Sequence, residues 1–311
     1  MANLKEVRIR IASVISTQQI TKAMKMVSAA KLRRAQDAIV QMRPYAAKLR
    51  EIMENISETL ESSAGGAFAT QRPVKKVLIV AINSNRGLAG GFNASIVRTV
   101  NMMIREQYAA QYKEGNVKVL AIGKKASDFF SKNQSVYAGN HNDIYNHLSF
   151  EAASAIAEKI MKEFAEGVYD KVEIVYNQFK NAAVQYVTVE QLLPITASPT
   201  PPKEGLGSRA GQLPLSGGGG ASKGVNDYIF EPNKEELVLQ LIPKTIKIQL
   251  YKALLDSHAS EHGARMTAMN KATDNATDLL KELRLNYNKA RQAAITGEIL
   301  EIVGGAEALN G

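Results

Sequence analysis

The strongest constraint on this chain is an apolar seam running through its first sixty residues. Leu4, Val7, Ile11 and Val14 step by three and four positions, and Ile20, Met24 and Val27 resume after a phase shift. Ile39, Met42, Ala46, Leu49, Met53, Ile56 and Leu60 then keep the same alternation. A repeat averaging 3.5 residues is coiled-coil spacing, narrower than the stripe of a globular surface helix. Shifts of phase change the local winding of a supercoil. Pro44 lacks an N–H and crowds the preceding turn, so a kink is expected there. A helix over residues 2–60 would extend roughly 85 Å. That is too long for a compact domain, and the seam needs a partner.

The other end of the chain supplies one. From Asn233 to Leu309 the pattern is helical again, with an interruption expected near Pro243. Met266, Met269, Ala276, Leu280, Leu283, Tyr287 and Ala290 fall at heptad-like spacing with Thr273 in register, and Ile295, Ile299, Ile302, Ala306 and Leu309 continue after another shift. An intramolecular antiparallel coiled coil is the simplest closure of two seams from opposite ends. Two separate helices in a globular bundle would also bury them.

The middle of the chain has a different texture. Val77–Ile82, Val117–Ile122, Val172–Tyr176 and Val184–Val189 read as strands, and helical stretches near 93–113, 124–132 and 149–166 alternate with them. Such alternation predicts a Rossmann-like α/β domain with a mostly parallel sheet at 74–195. The expected organisation is therefore an N-terminal coiled-coil helix (1–60), the α/β domain (74–195), a flexible insertion (197–226) and a C-terminal coiled-coil helix (233–311). The insertion holds eight Gly and four Pro, too little apolar surface to offset the entropy of ordering it.

Composition enters through charge and cysteine. The chain has 39 Lys and Arg against 30 Asp and Glu, a formal net charge of +9. Eleven of the bases but only two acids, Glu6 and Asp37, lie in residues 1–50. The whole excess therefore sits on the N-terminal helix, and it implies an acidic partner: nucleic acid, anionic lipid or an acidic protein surface. With no Cys, disulfides, thiolate metal sites and Cys nucleophiles are excluded. No apolar run is long enough to span a membrane, and the start lacks the apolar core of a signal peptide.

The motifs that invite an enzymatic reading fail on spacing. Ser84-Asn85-Arg86-Gly87-Leu88-Ala89-Gly90-Gly91-Phe92-Asn93 follows a strand and precedes a helix, yet lacks the G-x-G-x-x-G order of a dinucleotide turn. Gly123-Lys124-Lys125 has Lys118 where a P-loop needs its first glycine, and Lys125 where it needs Ser or Thr. Tight backbone turns after strands explain these glycines. His258 and His262 stand one helical turn apart without an H-E-x-x-H arrangement, so a surface or seam position is expected rather than a metal site. No catalytic residue, cofactor site or metal site is assigned. Nucleic-acid binding by the basic helix is the alternative reading, but residues 1–44 contain no aromatic on which single-stranded bases could stack.

Several long motifs carry a family resemblance. Glu261 to Ala276 (EHGARMTAMNKATDNA), Leu285 to Ile299 (LNYNKARQAAITGEI) and Glu301 to Ala306 (EIVGGA) resemble the C-terminal helix of the gamma-subunit family of F-type ATP synthases. Ile11-Ala12-Ser13-Val14 and Ile20 to Val27 (ITKAMKMV) are similar to its N-terminal helix, and the glycine loop matches with Asn85 in place of the usual Asp. The resemblance implies a rotary shaft that couples ion flow through a membrane ring to ATP synthesis or hydrolysis, with the catalytic residues belonging to the beta subunits. It implies as partners the alpha and beta subunits, the epsilon subunit and the c-ring, and a peripheral position on the cytoplasmic side of the bacterial inner membrane. It also carries contacts with beta subunits over to Lys22, Met24, Lys25, Arg265, Arg291, Gln292, Thr296 and Glu298. The photosynthetic version holds a redox insert with two cysteines roughly where 197–226 lies. Without Cys that switch is absent, and Lys203, Arg209, Gly217 and Lys223 become candidates for a brake of another kind, the alternative being a tolerated loop.

Overall fold

The computed structural model describes residues 4–57, 68, 70–195 and 234–310. The insertion candidates Lys203, Arg209, Gly217 and Lys223 lie outside them. By its contacts the chain divides into two compact units: Met1–Ala30 with Arg265–Gly311, and Lys31–Ala264.

In the larger unit, apolar runs form a five-stranded sheet. β1 (Val77–Ile82), β2 (Val117–Ile122), β3 (Tyr137–Asn140), β4 (Lys171–Phe179) and β5 (Gln185–Leu193) stand in the order β3-β2-β1-β4-β5. β1 pairs in parallel with β2 and β4, and β2 with β3, while β5 returns antiparallel to β4. β1 is buried at all six positions, as a central strand covered on both faces must be. Between the strands come α2 (Phe92–Met102), a π-helical turn over Met103–Gln107, α3 (Ala109–Lys113), α4 (Lys124–Phe130) and α5 (Phe150–Ala165). The helical stretch expected over 93–113 is thus broken, because the π turn ends at Tyr108, whose φ of −118° is not helical.

Each face of the sheet has its own core. Leu78, Val80, Ile82, Ile174 and Tyr176 meet Ile156, Ile160 and Phe164 of α5. Val77, Ile79, Ala81, Val119 and Val175 meet Ile96 and Val100 of α2 and Ala126 and Phe130 of α4. α5 buries every fourth residue along one stripe, and Ser149 caps its start by accepting a hydrogen bond from Ala152 N–H.

Two long helices complete the chain, α1 (Leu4–Ser57) and α6 (Lys234–Asn310). Pro44 and Pro243 lie inside them, so the interruption expected near Pro243 is absent: α6 is one helix of 77 residues. Ile242, Ile246, Leu250, Ala253 and Leu254 of α6 join the first sheet core. The units therefore do not follow the consecutive segments 1–60, 74–195 and 233–311, since one helix contributes its apolar face to the α/β core first and to α1 later.

Candidate functional site

Within the smaller unit, α1 and the last part of α6 pair in opposite directions. As α1 advances from Arg8 through Gln18 and Thr21 to Lys25, its hydrogen-bond partners on α6 recede from Tyr287 through Thr277 and Thr273 to Asn270. Arg8 donates to Tyr287 Oη at 2.9 Å, and the same contact lowers the Tyr287 pKa.

The seam runs through residues the apolar pattern passes over. Inward positions on α1 are Leu4, Val7, Ile11, Val14, Gln18, Thr21, Lys25 and Ser28, with unbroken three-four alternation. Thr21 and Ser28 are 9% and 2% exposed, whereas Ile20, Met26 and Val27 are 60%, 61% and 57% exposed. The expected phase shift is therefore corrected: the register never changes, and polar residues fill the seam while apolar ones face outward. The same holds on α6. Met269, Ala276, Leu280 and Leu283 are buried, the half-buried positions then continue through Tyr287, Ala290, Ala294 and Gly297, and Ile295, Ile299 and Ile302 are exposed. Counting threes and fours onward from Val14 would have found these layers; hydrophobicity alone could not.

The residues carried over for partner contact take different positions. Lys22 is exposed and, with Gln18, Gln19, Lys25, Asn270, Thr273, Asp274 and Thr277, lines an open groove of about 390 Å³. Met24 is half-buried, and Lys25, also half-buried, donates to Asn270 Oδ1. Arg291, Gln292, Thr296 and Glu298 are all exposed near the end of α6, where Thr296 Oγ1 donates to Gln292 O. Arg265 differs from these. It is 6% exposed and would have to leave a buried position to meet a partner.

In the α/β unit the glycine loop is bonded within itself and to the start of α4. Asn93 Oδ1 accepts from Ser84 N–H and Oγ, Asn85 Oδ1 accepts from Lys124 N–H at 2.8 Å, and Ser84 O accepts from Lys125 N–H at 3.0 Å. The backbone N–H groups that a phosphate would need in the first turn of α4 are thus already bonded. Gly123 adopts φ +109°, and a Cβ there would stand 2.1 Å from Asn83 O, so the glycine serves the close passage of two backbone segments. His262 is buried and His258 half-buried. His262 is 5% exposed, their Nε2 atoms lie 3.2 Å apart, and His258 stacks on Tyr145.

A family model described as ATP synthase matches residues 3–309. The ATP synthase gamma chain of Flavobacterium johnsoniae is 58% identical over 311 residues, covering all of both chains. The chain belongs to the ATP synthase gamma-chain family. The gamma chain of Christiangramia forsetii is 55% identical, again over the full length of both. Among solved structures, a chain of the Tetrahymena thermophila mitochondrial ATP synthase central stalk and c-ring assembly is 26% identical, with a TM-score of 0.54 over 81% of this chain and 99% of that one. A chain of the Euglena gracilis mitochondrial enzyme shares the fold at 21% identity, with a TM-score of 0.64 over 98% of this chain and 94% of that one. A gamma chain of this kind is a component of ATP synthase. No helix among the described residues is long and apolar enough to cross a membrane.

Proposed function

We infer that this gamma chain is the central rotor shaft of an ATP synthase, carrying rotation between a membrane ring and the sites where ATP is made or hydrolysed. The observation that carries the reading is the antiparallel helix pair of the smaller unit, in a chain that matches gamma chains from end to end. A single helix bends and frays, whereas two helices sharing a seam resist twisting together. On this reading the catalytic chemistry belongs to its partner subunits.

The outward surface of the pair suits a rotating part. Ile9, Ile20, Met26 and Val27 on α1 and Ile299, Leu300 and Ile302 on α6 are exposed by more than half, and a surrounding ring of alpha and beta subunits would cover them. Lys22, Met24, Lys25, Arg291, Gln292, Thr296 and Glu298 are the proposed beta-subunit contacts, with Arg265 conditional on its release. The epsilon subunit and c-ring are the proposed partners of the remainder, on the cytoplasmic face of a bacterial inner membrane. Attraction between a basic helix and acidic loops varies gently with angle, so it guides rotation without locking it.

The test is charge reversal. Lys22→Glu with Lys25→Glu in the assembled enzyme lowers torque and the coupling of hydrolysis to ion transport, and the loss shrinks as salt rises. Unchanged torque and coupling at low salt overturn electrostatic guidance. Failure of the purified chain to assemble with a ring-shaped ATPase overturns the shaft itself.

A further inference from the structure

We propose that residues 18–28 of α1, with the facing stretch 266–277 of α6, form a torsionally soft collar in the helix pair; this rests on the shaft reading. Three features coincide there. The first is the seam, where three successive layers are polar: Gln18 Nε2 donates to Thr277 Oγ1 at 2.7 Å, Thr21 and Thr273 share a hydroxyl hydrogen bond at 2.9 Å, and Lys25 donates to Asn270. Hydrogen bonds between such groups exchange readily with water and leave a small net gain, whereas an apolar layer loses its whole burial when opened. By the same register, Val14 and Ile11 face Leu280 and Leu283 in the next layers, and both leucines are buried.

The second feature is in the helices themselves. Thr17 donates to Ser13 O and Thr277 to Thr273 O, and of the Thr21–Thr273 pair one hydroxyl donates back into its own helix, to Gln18 O or Met269 O respectively, while the other supplies the proton of the bond between them. Side-chain hydroxyls bonded back to the preceding turn compete for its carbonyls and make a helix easier to bend. The third is the open groove along these layers, lined among others by Gln18, Lys25, Asn270, Thr273 and Thr277. Twisting strain concentrates where two joined helices are held least tightly, so this collar yields before the leucine layers beside it.

Filling the seam tests the idea without touching Lys25. In the first variant Thr21→Val is combined with Thr273→Val; in the second, Gln18→Leu and Thr277→Leu are added. In the full chain, amide hydrogen exchange over 18–25 and 270–277 slows by about tenfold or more, as expected when polar layers become apolar ones, while exchange in β1 and β4 is unaltered. In the assembled enzyme, the thermal angular fluctuation of a probe fixed to the rotor narrows. Unaltered exchange in both variants, or a slowing spread evenly over the chain, overturns the collar. Slowed exchange with unaltered fluctuation also overturns it, because the compliance would then lie elsewhere. If neither variant nor the unmodified chain assembles, the shaft reading fails while the exchange data still decide whether the seam is soft.

Discussion

Replacing Gly263 by alanine separates helix propensity from packing within a single helix. A glycine inside α6 costs about 1 kcal/mol relative to alanine by propensity alone. At Gly263, however, a Cβ would stand 3.1 Å from Ala182 O and 3.3 Å from Ala182 Cα, at the tip of the β4–β5 hairpin. That tip is braced. Asn181 Oδ1 accepts from Ala183 N–H at 3.0 Å and Val184 N–H at 2.7 Å, and Gln185 Nε2 donates to Ala182 O at 3.1 Å. Moving it aside breaks one or two of these bonds at about 0.5–1.5 kcal/mol each and adds overpacking of about 1–3 kcal/mol. Gly263→Ala is therefore expected to destabilise the α/β unit by roughly 0.5–5 kcal/mol net, after the propensity gain is set against these costs. Gly297 in the same helix has nothing within 4 Å of its added Cβ, so Gly297→Ala should gain about 0.5–1 kcal/mol of local helix stability. Native-state hydrogen exchange reads both: amides of Ala183 and Val184 lose protection in the first variant, and amides flanking residue 297 gain it in the second. Equal stabilisation at the two positions would refute the claim that the hairpin dictates glycine at 263.

Two further outcomes follow from the structure and the sequence. Burial, helped by the carboxylates of Glu190, Glu261 and Glu173 respectively, raises the pKa values of Tyr176, Tyr145 and Tyr108 well above the usual value. A raised folded pKa gives stability that is whole below the unfolded value near about 10 and is lost as pH climbs beyond it. Ultraviolet titration should therefore show these three of the eleven tyrosines ionising only as circular dichroism reports unfolding; ionisation of all eleven together in a folded chain would contradict the burial. Deleting 203–224 should leave inhibition of ATP hydrolysis in the assembled enzyme unaltered, as for a tolerated loop, and released inhibition would instead identify the segment as a brake.

The centre of the sheet was legible because β1 and β2 are buried along nearly their whole length and so read as largely apolar runs; Val77–Ile82 and Val117–Ile122 match their expected bounds residue for residue. β3 was missed because Tyr137-Ala138-Gly139-Asn140 is a short edge strand with half-buried and exposed positions in alternation. The helix pair was legible as a pair, and its register was not. Hydrophobicity follows the strongest side chains, and here Ile20, Val27, Ile295 and Ile302 face outward while Thr21 and Ser28 face in. The apparent phase shifts came from reading outward-facing residues as the seam. Arg265, His258 and His262 show a related limit: a polar residue on a long helix gives no local sign of which unit will bury it, and that depends on elements far away in the chain.

The outward-facing isoleucines also bear on the life of the chain before it is assembled. Ile9, Ile20, Leu300 and Ile302, each at least 60% exposed, are the kind of surface that chaperones hold and that copies of one chain use to stick to each other. Its surplus positive charge delays that fate without removing it. A cell making this subunit faster than the subunits that enclose it would accumulate a protein that is folded and still unsafe. Matched synthesis, or prompt destruction of the excess, is then as much a requirement of this surface as its role in rotation.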